Sequence, residues 1–411
     1  MTQTTKPTIV VVGLGYVGLP LATQFAKRFR VIGYELDSQK VAELKQGFDR
    51  MHEVASEELK AVTIEYTVDP ESISQGDIVI AAIPTPVDSH NIPDLSLVHN
   101  ATATIGKHLK PGAIVVFEST VYPGVTEEQC VPILEEESGL KYNKDFFVGY
   151  SPERVNPGDK EHTIDKVKKI VSASTPQATQ KLKEVYGAIV LAGIHVAPSI
   201  RVAEAAKVIE NIQRDINIAL VNELAVLFDR MDINVHDVLD AAATKWNFNR
   251  YTPGLVGGHC IGVDPYYLTH KAVEVNYHPE MILAGRRIND SMHSHYVGKL
   301  VQGLNLKGVA TSKATVGVLG LTFKENCSDD RNSRVEHLIK ELKGYGCRVL
   351  GIDPWLTAER IRHFGAEPLT LEDFGKQKLD AVVIAVPHKQ FFGLDYSAIP
   401  VKLDIKGAIL K

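Results

Sequence analysis

The sequence predicts an α/β protein in which two doubly wound parallel-sheet domains are joined by a long helix within a central all-helical domain. Short apolar, β-branched runs alternate with helical patterns in the first half of the chain, which is typical of parallel sheets covered by helices. Residues 200–230 contain neither proline nor glycine and repeat apolar residues at helical spacing. The strand-rich pattern returns near residue 315. We therefore predict three domains, over residues 1–198, 199–300 and 301–411.

The composition is that of an ordinary globular protein. The 411 residues suggest two or three domains, and contents of 44% hydrophobic and 23% charged residues exclude wholesale disorder. Lysine and arginine total 45 against 50 acidic residues, a net charge of -5, so no global basic field attracts nucleic acid or an anionic membrane. We expect neither as a partner, and any polyanionic ligand must be held by a local cluster of cations.

Cysteine usage indicates a reducing compartment. The four cysteines (Cys130, Cys260, Cys327 and Cys347) form no CxxC pair, which argues against a disulfide framework and a zinc site and favours the cytoplasm. Residues 8–26 are uncharged and mostly apolar, as in a signal-peptide core or a short membrane span. Three glycines and Pro20 interrupt this stretch, so a buried strand followed by a helix is the better interpretation.

The elements of the first two domains follow from apolar patterns. Apolar runs predict strands at residues 8–12, 31–34, 78–83, 114–117 and 146–149. Leu21, Phe25 and Phe29 predict a helix after the first strand. The segment from Ile200 to Arg230 predicts one helix of about 45 Å, at 1.5 Å per residue. Because its apolar residues lie on more than one side, we expect it to connect domains and to form the core of a homodimer.

Three segments near the C-terminus repeat segments of the first domain in the same order. TVGVLGLTFKE resembles TIVVVGLGYVG, VLGIDP resembles VIGYELD, and DAVVIAVPHK resembles DIVIAAIPTP. This echo predicts that the last domain contains a Rossmann-like sheet of the same kind as the first domain. The alternative is that any two strand-rich segments look alike.

Gly13, Gly15 and Gly18 form a G-x-G-x-x-G pattern between a predicted strand and a predicted helix. Such glycines permit a tight turn, a close approach of backbone to a pyrophosphate, and packing of helix on strand. Glu35 ends the second strand, where a carboxylate accepts both ribose hydroxyls and repels a 2′-phosphate. The pattern therefore predicts a Rossmann domain that binds NAD rather than NADP, against the alternative of a glycine turn without a ligand.

Cys260 lies in the glycine-rich segment PGLVGGHCIGVDP, followed four residues later by Asp264. The glycines would let backbone amides close around a ligand and leave the thiol accessible, whereas a buried, inert cysteine is the alternative. A thiol beside NAD indicates a particular reaction. Loss of one hydride turns an alcohol into an aldehyde, and the aldehyde loses a second hydride readily only after a nucleophile has made it tetrahedral. The sequence thus suggests oxidation of an alcohol to an acid with two NAD. No His, Cys and Asp spacing resembles a metal site.

Lys207 and Asn211 lie one turn apart on the long helix, and Arg214 follows at the next turn. A lysine and an amide near the reacting oxygen would stabilise the negative charge that develops there. Solvated helix residues would give the same pattern.

Seven ordered motifs resemble the UDP-glucose/GDP-mannose dehydrogenase family from Thr8 to the end of the chain. They are GLGYVGLP, IPTP (83–86), ESTVYPG (118–124), SPERVNPGD (151–159), AEAAKVIEN (203–211), GGHCIGVDP (257–265) and GLTFKENCSDDRNS (320–333). Glu-Arg-Val at 153–155 and the cysteine loop resemble the branch that oxidises UDP-N-acetylhexosamines at C6. The resemblance implies a UDP-GlcNAc or UDP-GalNAc 6-dehydrogenase that supplies uronic acids for surface polysaccharide such as capsule or O-antigen.

The resemblance also implies roles for residues by position. The NAD contacts would be Gly13, Gly15, Tyr16, Val17, Gly18, Glu35, Thr85 and Thr120, with Arg331 reaching the cofactor from the C-terminal domain. Cys260 would be the nucleophile, Lys207 and Asn211 the oxyanion partners, Asp264 a base or an orienter of water, and Glu153 the base for thioester hydrolysis. The UDP-sugar would be held by Arg154, Val155, Lys207, Asn211, Arg214, Gly257, Phe323 and Lys324.

Three positions depart from the UDP-glucose branch. Pro157 replaces a second glutamate, Val263 replaces a lysine, and Thr244 stands where an arginine is usual, which leaves Arg250 as a substitute cation for the substrate. Family members usually continue past the last strand, so a chain ending at Lys411 is expected to be trimmed. The alternatives are oxidation of UDP-ManNAc or UDP-glucose, a single-step β-hydroxyacid dehydrogenase, and a non-catalytic nucleotide-sugar sensor.

Overall fold

A computed structural model describes residues 6–88, 90–155, 161, 163–258 and 261–410. The chain divides into two compact units, Met1–Glu210 with Tyr266–Asn276, and Asn211–Pro265 with Tyr277–Lys411. Each unit contains one sheet, and both sheets are mainly or wholly parallel. The predicted α/β class with two doubly wound sheets is confirmed. The division into three domains stays a prediction.

The first unit is built on an eight-stranded sheet with the order β3-β2-β1-β4-β5-β6-β7-β8. The strands are β1 (Thr8–Val12), β2 (Arg30–Tyr34), β3 (Ile64–Thr67), β4 (Ile78–Ala81), β5 (Ile114–Phe117), β6 (Phe147–Tyr150), β7 (Lys169–Ala173) and β8 (Ile194–Val196). Strands β1 to β6 pair in parallel, whereas β7 runs antiparallel to β6. The central strands are buried because helices cover them, which explains their continuous apolar runs.

Helices connect these strands. They are α1 (Gly18–Ala26), α2 (Ser38–Lys45), α3 (Ser56–Lys60), α4 (Ser96–Lys107), α5 (Val131–Ser138) and α6 (Pro176–Gly187). Side-chain caps fix where two of these helices begin. The Asp37 side chain accepts a hydrogen bond from the Lys40 N–H ahead of α2, and the Thr175 side chain accepts one from the Ala178 N–H ahead of α6. Helix α1 ends before Phe29, contrary to the predicted pattern, because the chain turns there into β2.

The long helix is confirmed as α7 (Ile200–Asp229), 30 residues in one uninterrupted element. Three further helices follow it, α8 (Val235–Ala242), α9 (Asp264–Glu274) and α10 (Glu280–Leu306). Leu220 and Leu227 of α7 are exposed, whereas Ala219 and Val221 are buried, so apolar residues do occupy more than one side.

The second unit contains a five-stranded parallel sheet with the order β11-β10-β9-β12-β13. Its elements are β9 (Thr315–Leu319), α11 (Val335–Gly344), β10 (Arg348–Ile352), α12 (Ala358–His363), β11 (Glu367–Pro368), β12 (Ala381–Ile384) and β13 (Val401–Asp404). The arrangement β10-β9-β12 repeats β2-β1-β4, as the sequence echo predicts. Gly13 and Gly320 even share a positive φ (86° and 81°) at the end of the first strand of each sheet. Among the described residues, no helix is long and apolar enough to span a membrane.

Candidate active site

In the first unit, the carboxyl ends of β1, β2, β4, β5 and β6 gather most of the predicted cofactor and catalytic residues along one edge of the sheet. These are Gly13 to Gly18 after β1, Glu35 after β2, Thr85 after β4, Thr120 after β5, and Glu153, Arg154 and Val155 after β6. Ligands of open parallel sheets bind at this edge.

The glycine turn fits a dinucleotide. A Cβ on Gly13 would lie 2.7 Å from the Ala82 carbonyl oxygen, and one on Gly18 would lie 1.8 Å from the Gly13 oxygen, so neither position admits a side chain. A Cβ on Gly15 would meet no atom within 4 Å, which leaves the backbone open to close approach. Helix α1 has no side-chain cap and no acidic residue in its first turn, so its N–H groups suit a pyrophosphate.

Glu35 is oriented for a ribose. Its carboxylate accepts N–H bonds from Leu14 (3.2 Å) and Leu36 (2.9 Å), which fix it beside the glycine turn. Lys40 lies 3.2 Å away and partly neutralises it, a partner that sequence reasoning missed. Both side chains are largely buried.

Thr85 and Thr120 belong to neighbouring loops that are tied together. The Ile83 N–H donates to the Ser119 hydroxyl (3.1 Å), and the Tyr150 hydroxyl donates to the Ser119 carbonyl (3.0 Å). Thr85 is buried, and its carbonyl accepts a bond from the Tyr267 hydroxyl at 2.9 Å.

The Glu153 segment is held by its own backbone, by the residue that precedes β7 and by the end of the first unit's part of α7. Glu153 Oε1 accepts N–H bonds from Arg154 and Val155, both at 2.6 Å. The Arg154 guanidinium donates to the Lys168 carbonyl (2.6 Å) and pairs with Glu210 (2.8 Å). The carboxylate is therefore fixed in direction.

Lys207 and Asn211 are buried on α7, at 8% and 7% exposure, which contradicts the alternative of a solvated helix face. In the second unit, the Asn211 amide donates to Asp264 Oδ2 at 2.6 Å, and Asp264 is itself buried at the start of α9. The structure thus brings Asn211 and Asp264 together across 53 residues of sequence.

The glycine-rich loop packs on the loop that follows β9. A Cβ on Gly257 would lie 2.6 Å from the Asn332 carbonyl oxygen, and one on Gly258, whose φ is +86°, would lie 2.8 Å from the Phe323 ring. The Lys324 ammonium lies over the same ring, 5.5 Å from its centroid. Gly257, Phe323 and Lys324, all predicted to hold the UDP-sugar, are therefore neighbours.

The remaining predicted cations are on the surface. Arg214 is exposed, Arg250 pairs with Asp240, and the Arg331 guanidinium makes two bonds to Asp329 at 2.9 and 2.7 Å.

Cys260 and His259 lie outside the described residues, as does Pro157. Within the described part of the chain, no group of three or more His, Cys, Asp or Glu side chains could hold a metal ion.

Sequence reasoning missed two buried polar networks. In the first unit, Lys169 pairs with Glu118 directly behind Glu153. In the second unit, Asn222 bonds both backbone groups of Gly254, at the start of the glycine-rich loop, and links through Asn289 to Asp215 and Arg286. Both networks were missed because their residues form no periodic pattern. Lys169 lies in a charged run, and the polar residues of the second network are single positions on apolar helices.

The glycine turn and the ribose carboxylate define an NAD-binding protein. Comparison with known proteins narrows the class. The NAD binding domain of the UDP-glucose/GDP-mannose dehydrogenase family matches residues 7–190, its central domain matches residues 201–291, and its UDP binding domain matches residues 317–410. The chain belongs to this family and is an NAD-dependent nucleotide-sugar dehydrogenase, as the sequence predicts.

Individual relatives match nearly the whole chain. Protein CapL of Staphylococcus aureus is 53% identical and a UDP-N-acetyl-D-glucosamine 6-dehydrogenase of Pseudomonas aeruginosa is 51% identical, each over 93% of this chain and 90% and 91% of theirs. The solved UDP-D-ManNAc dehydrogenase of Pyrococcus horikoshii superposes with a TM-score of 0.88 at 31% identity, covering 98% of this chain and 96% of that one.

Proposed function

We propose that the protein oxidises the C6 hydroxyl of a UDP-N-acetylhexosamine to the uronic acid. Of the two candidate substrates, we propose UDP-GlcNAc ahead of UDP-GalNAc. The observation that carries this proposal is the 51% identity to a UDP-N-acetyl-D-glucosamine 6-dehydrogenase over 93% of the chain. The uronic acid of an amino sugar is suited to surface polysaccharide, which we propose as its destination.

NAD, when bound, supplies the hydride acceptor for both oxidations. The Cys260 thiolate adds to the C6 aldehyde and forms a thiohemiacetal, which becomes a thioester once the second hydride has left. Lys207 and Asn211 stabilise the negative charge on the C6 oxygen. Their burial supports this role, because a desolvated donor interacts more strongly with a developing charge.

Two carboxylates are assigned to water and proton handling. Glu153 takes the proton of the water that cleaves the thioester, and its fixed carboxylate supports a role as a base. Asp264 orients Asn211, to which it is bonded at 2.6 Å, and remains the second candidate base.

The UDP-sugar is held by Val155, Gly257, Phe323 and cations that offset the diphosphate charge. We assign Arg154, Arg214, Arg250 and Lys324 to this role and Arg331 to NAD. The proximity of Lys324 and Phe323 to the glycine loop supports a nucleotide site there.

We further propose a homodimer that works in the cytoplasm. The support for the dimer is the row of exposed apolar side chains on α7, including Leu220 and Leu227. The support for a reducing compartment is that Cys130, Cys327 and Cys347 are free thiols.

The test is a count of NADH per sugar with a panel of UDP-GlcNAc, UDP-GalNAc, UDP-ManNAc and UDP-glucose. We expect two NADH per molecule and the highest kcat/KM with UDP-GlcNAc. A best rate with UDP-ManNAc or UDP-glucose would transfer the assignment to that sugar. One NADH per substrate would indicate a single-step β-hydroxyacid dehydrogenase, and binding without NADH release would indicate a nucleotide-sugar sensor.

Cys260→Ser in the same assay should release free uronic acid much more slowly than wild type. Near-normal acid production would refute the assignment of Cys260 as the nucleophile.

A further inference from the structure

A buried ion pair lies directly behind the Glu153 segment. The Lys169 ammonium is 2.5 Å from Glu118 Oε2, and the two side chains are 5% and 0% exposed. The Tyr186 hydroxyl donates to the other Glu118 oxygen at 2.6 Å. Burial raises the pKa of Glu118 to about 7, and the ammonium opposes that shift. A buried pair of this kind often adds little stability over apolar side chains of the same size, so its position calls for a reason.

The ammonium also faces the segment that carries the proposed base. Lys169 donates to the Pro152 carbonyl at 2.9 Å, and its nitrogen lies 4.0 Å from Glu153 Oε2. The antiparallel pairing of β6 and β7 explains this placement: Gly149 faces Ala173 and Tyr150 faces Ser172, so continuing the register brings Glu153 opposite Lys169. Since Glu153 Oε1 is held by two backbone N–H groups, the carboxylate is fixed on one side by backbone and on the other by the ammonium.

We propose that Lys169 is a positioning residue for Glu153, and that Glu118 is the counterion that keeps the ammonium in place. This inference rests on the proposed function, in which Glu153 serves thioester hydrolysis. In that step the oxygen of water bonds to the thioester carbon, Glu153 takes the proton, and the carbon–sulfur bond breaks to release the Cys260 thiolate. Lys169 acts on the direction of the base, and it takes no part in hydride transfer.

The decisive variant is Glu118→Gln/Lys169→Met, which removes both charges, keeps an acceptor for Tyr186 and nearly preserves volume. Stopped-flow NADH absorbance with UDP-GlcNAc should show a burst of two NADH per site at a rate within about twofold of wild type. The steady-state rate should then fall by about 10-fold or more, since general-base catalysis contributes about 10²–10⁴-fold. Intact-protein mass spectrometry should detect the accumulated thioester.

Two controls separate positioning from folding. Tyr186→Phe disturbs the same cluster but leaves the ammonium, so burst and steady state should both stay near wild type. Lys169→Arg keeps the charge and should retain most of the hydrolysis rate. A folded double variant with a normal steady-state rate, or with burst and steady state slowed equally, would overturn the inference.

Glu153→Gln keeps the inference testable if the double variant does not fold, because it leaves the buried pair intact. It should show the same burst followed by slow hydrolysis, and a normal hydrolysis rate would remove the basis for positioning by Lys169. Failure of the proposed function is distinct, since the wild-type protein would then not release two NADH per UDP-sugar.

Discussion

Glu204 shows how strongly a single residue of this fold depends on its surroundings. It is fully buried near the start of α7, and its carboxylate accepts the N–H groups of Gly124 (2.6 Å) and Thr126 (3.0 Å). Burial raises the pKa of Glu204 to about 7, although these hydrogen bonds oppose the shift. The group therefore ties α7 to the segment after β5 and titrates near neutral pH.

Glu204→Gln should change the pH dependence of stability. Because the folded pKa of Glu204 is about 7 and the ordinary value is 4.5, the folded protein binds the proton more tightly. The free energy of unfolding that this group contributes is highest below pH 4.5 and falls as the pH rises to about 7. The advantage of wild type over the variant should shrink by about 2–3 kcal/mol between pH 5 and 8, at 1.36 kcal/mol per pKa unit. Urea unfolding at each pH measures it.

The matched control is Glu184→Gln on the exposed face of α6. Its stability difference from wild type, measured at each pH, is the baseline. A Glu204→Gln difference that follows this baseline would show that the buried carboxyl does not titrate in this range.

At the scale of elements, α7 carries the predicted catalytic pair Lys207 and Asn211, and also Asn222, which binds the backbone at the start of the glycine-rich loop. Asn222 accepts the Gly254 N–H at 2.9 Å and donates to the Gly254 carbonyl at 3.1 Å, so its amide replaces the partner strand that the loop lacks. Asn289 of α10 holds the same amide at 2.8 Å. The loop therefore receives its starting direction from two helices.

Asn222→Ala should destabilise the protein by about 1–3 kcal/mol, because the buried Gly254 groups and the Asn289 Oδ1 atom lose their bonds to the Asn222 amide. Asn217→Ala on the same helix is the control, since among the described residues Asn217 bonds to its own helix, at the Gln213 carbonyl (2.7 Å), and alanine favours helices. Urea unfolding should separate the two variants. An equal, small effect would mean that water replaces Asn222 at Gly254.

At the scale of the whole molecule, the exposed apolar residues of α7 bear on assembly. Leu220 is 54% exposed although it lies in the middle of a long helix whose neighbouring positions are buried. A charge at such a position opposes burial against a second copy, since an unpaired buried charge is costly.

Leu220→Glu should shift the proposed dimer to a monomer in light scattering coupled to size-exclusion chromatography. Leu191→Glu is the control, because Leu191 is more exposed, at 84%, and lies outside α7. A Leu220→Glu variant that remains dimeric would locate the interface elsewhere, and a monomeric wild type would refute the proposed dimer.

The sequence by itself determined the α/β class with two doubly wound sheets, the long helix and the glycine turn with Glu35, because each depends on residues close together in the chain. The internal echo of β1, β2 and β4 belongs to the same class of local signal. The nucleotide-sugar chemistry followed from the resemblance of seven motifs, spread along the chain, to a known family. Strand ends such as Ala81 shifted by a residue or two, since apolar residues continue past the last hydrogen-bonded pair.

Only the tertiary structure decided which buried polar groups meet. Lys169 and Glu118 are 51 residues apart, and Asn222 and Gly254 are 32 apart. Their contacts follow from the direction of β7 and from the packing of α7, which no local pattern specifies. A buried charge or amide is tolerated only where a distant segment supplies its partner, so such residues become recognisable once the chain has folded.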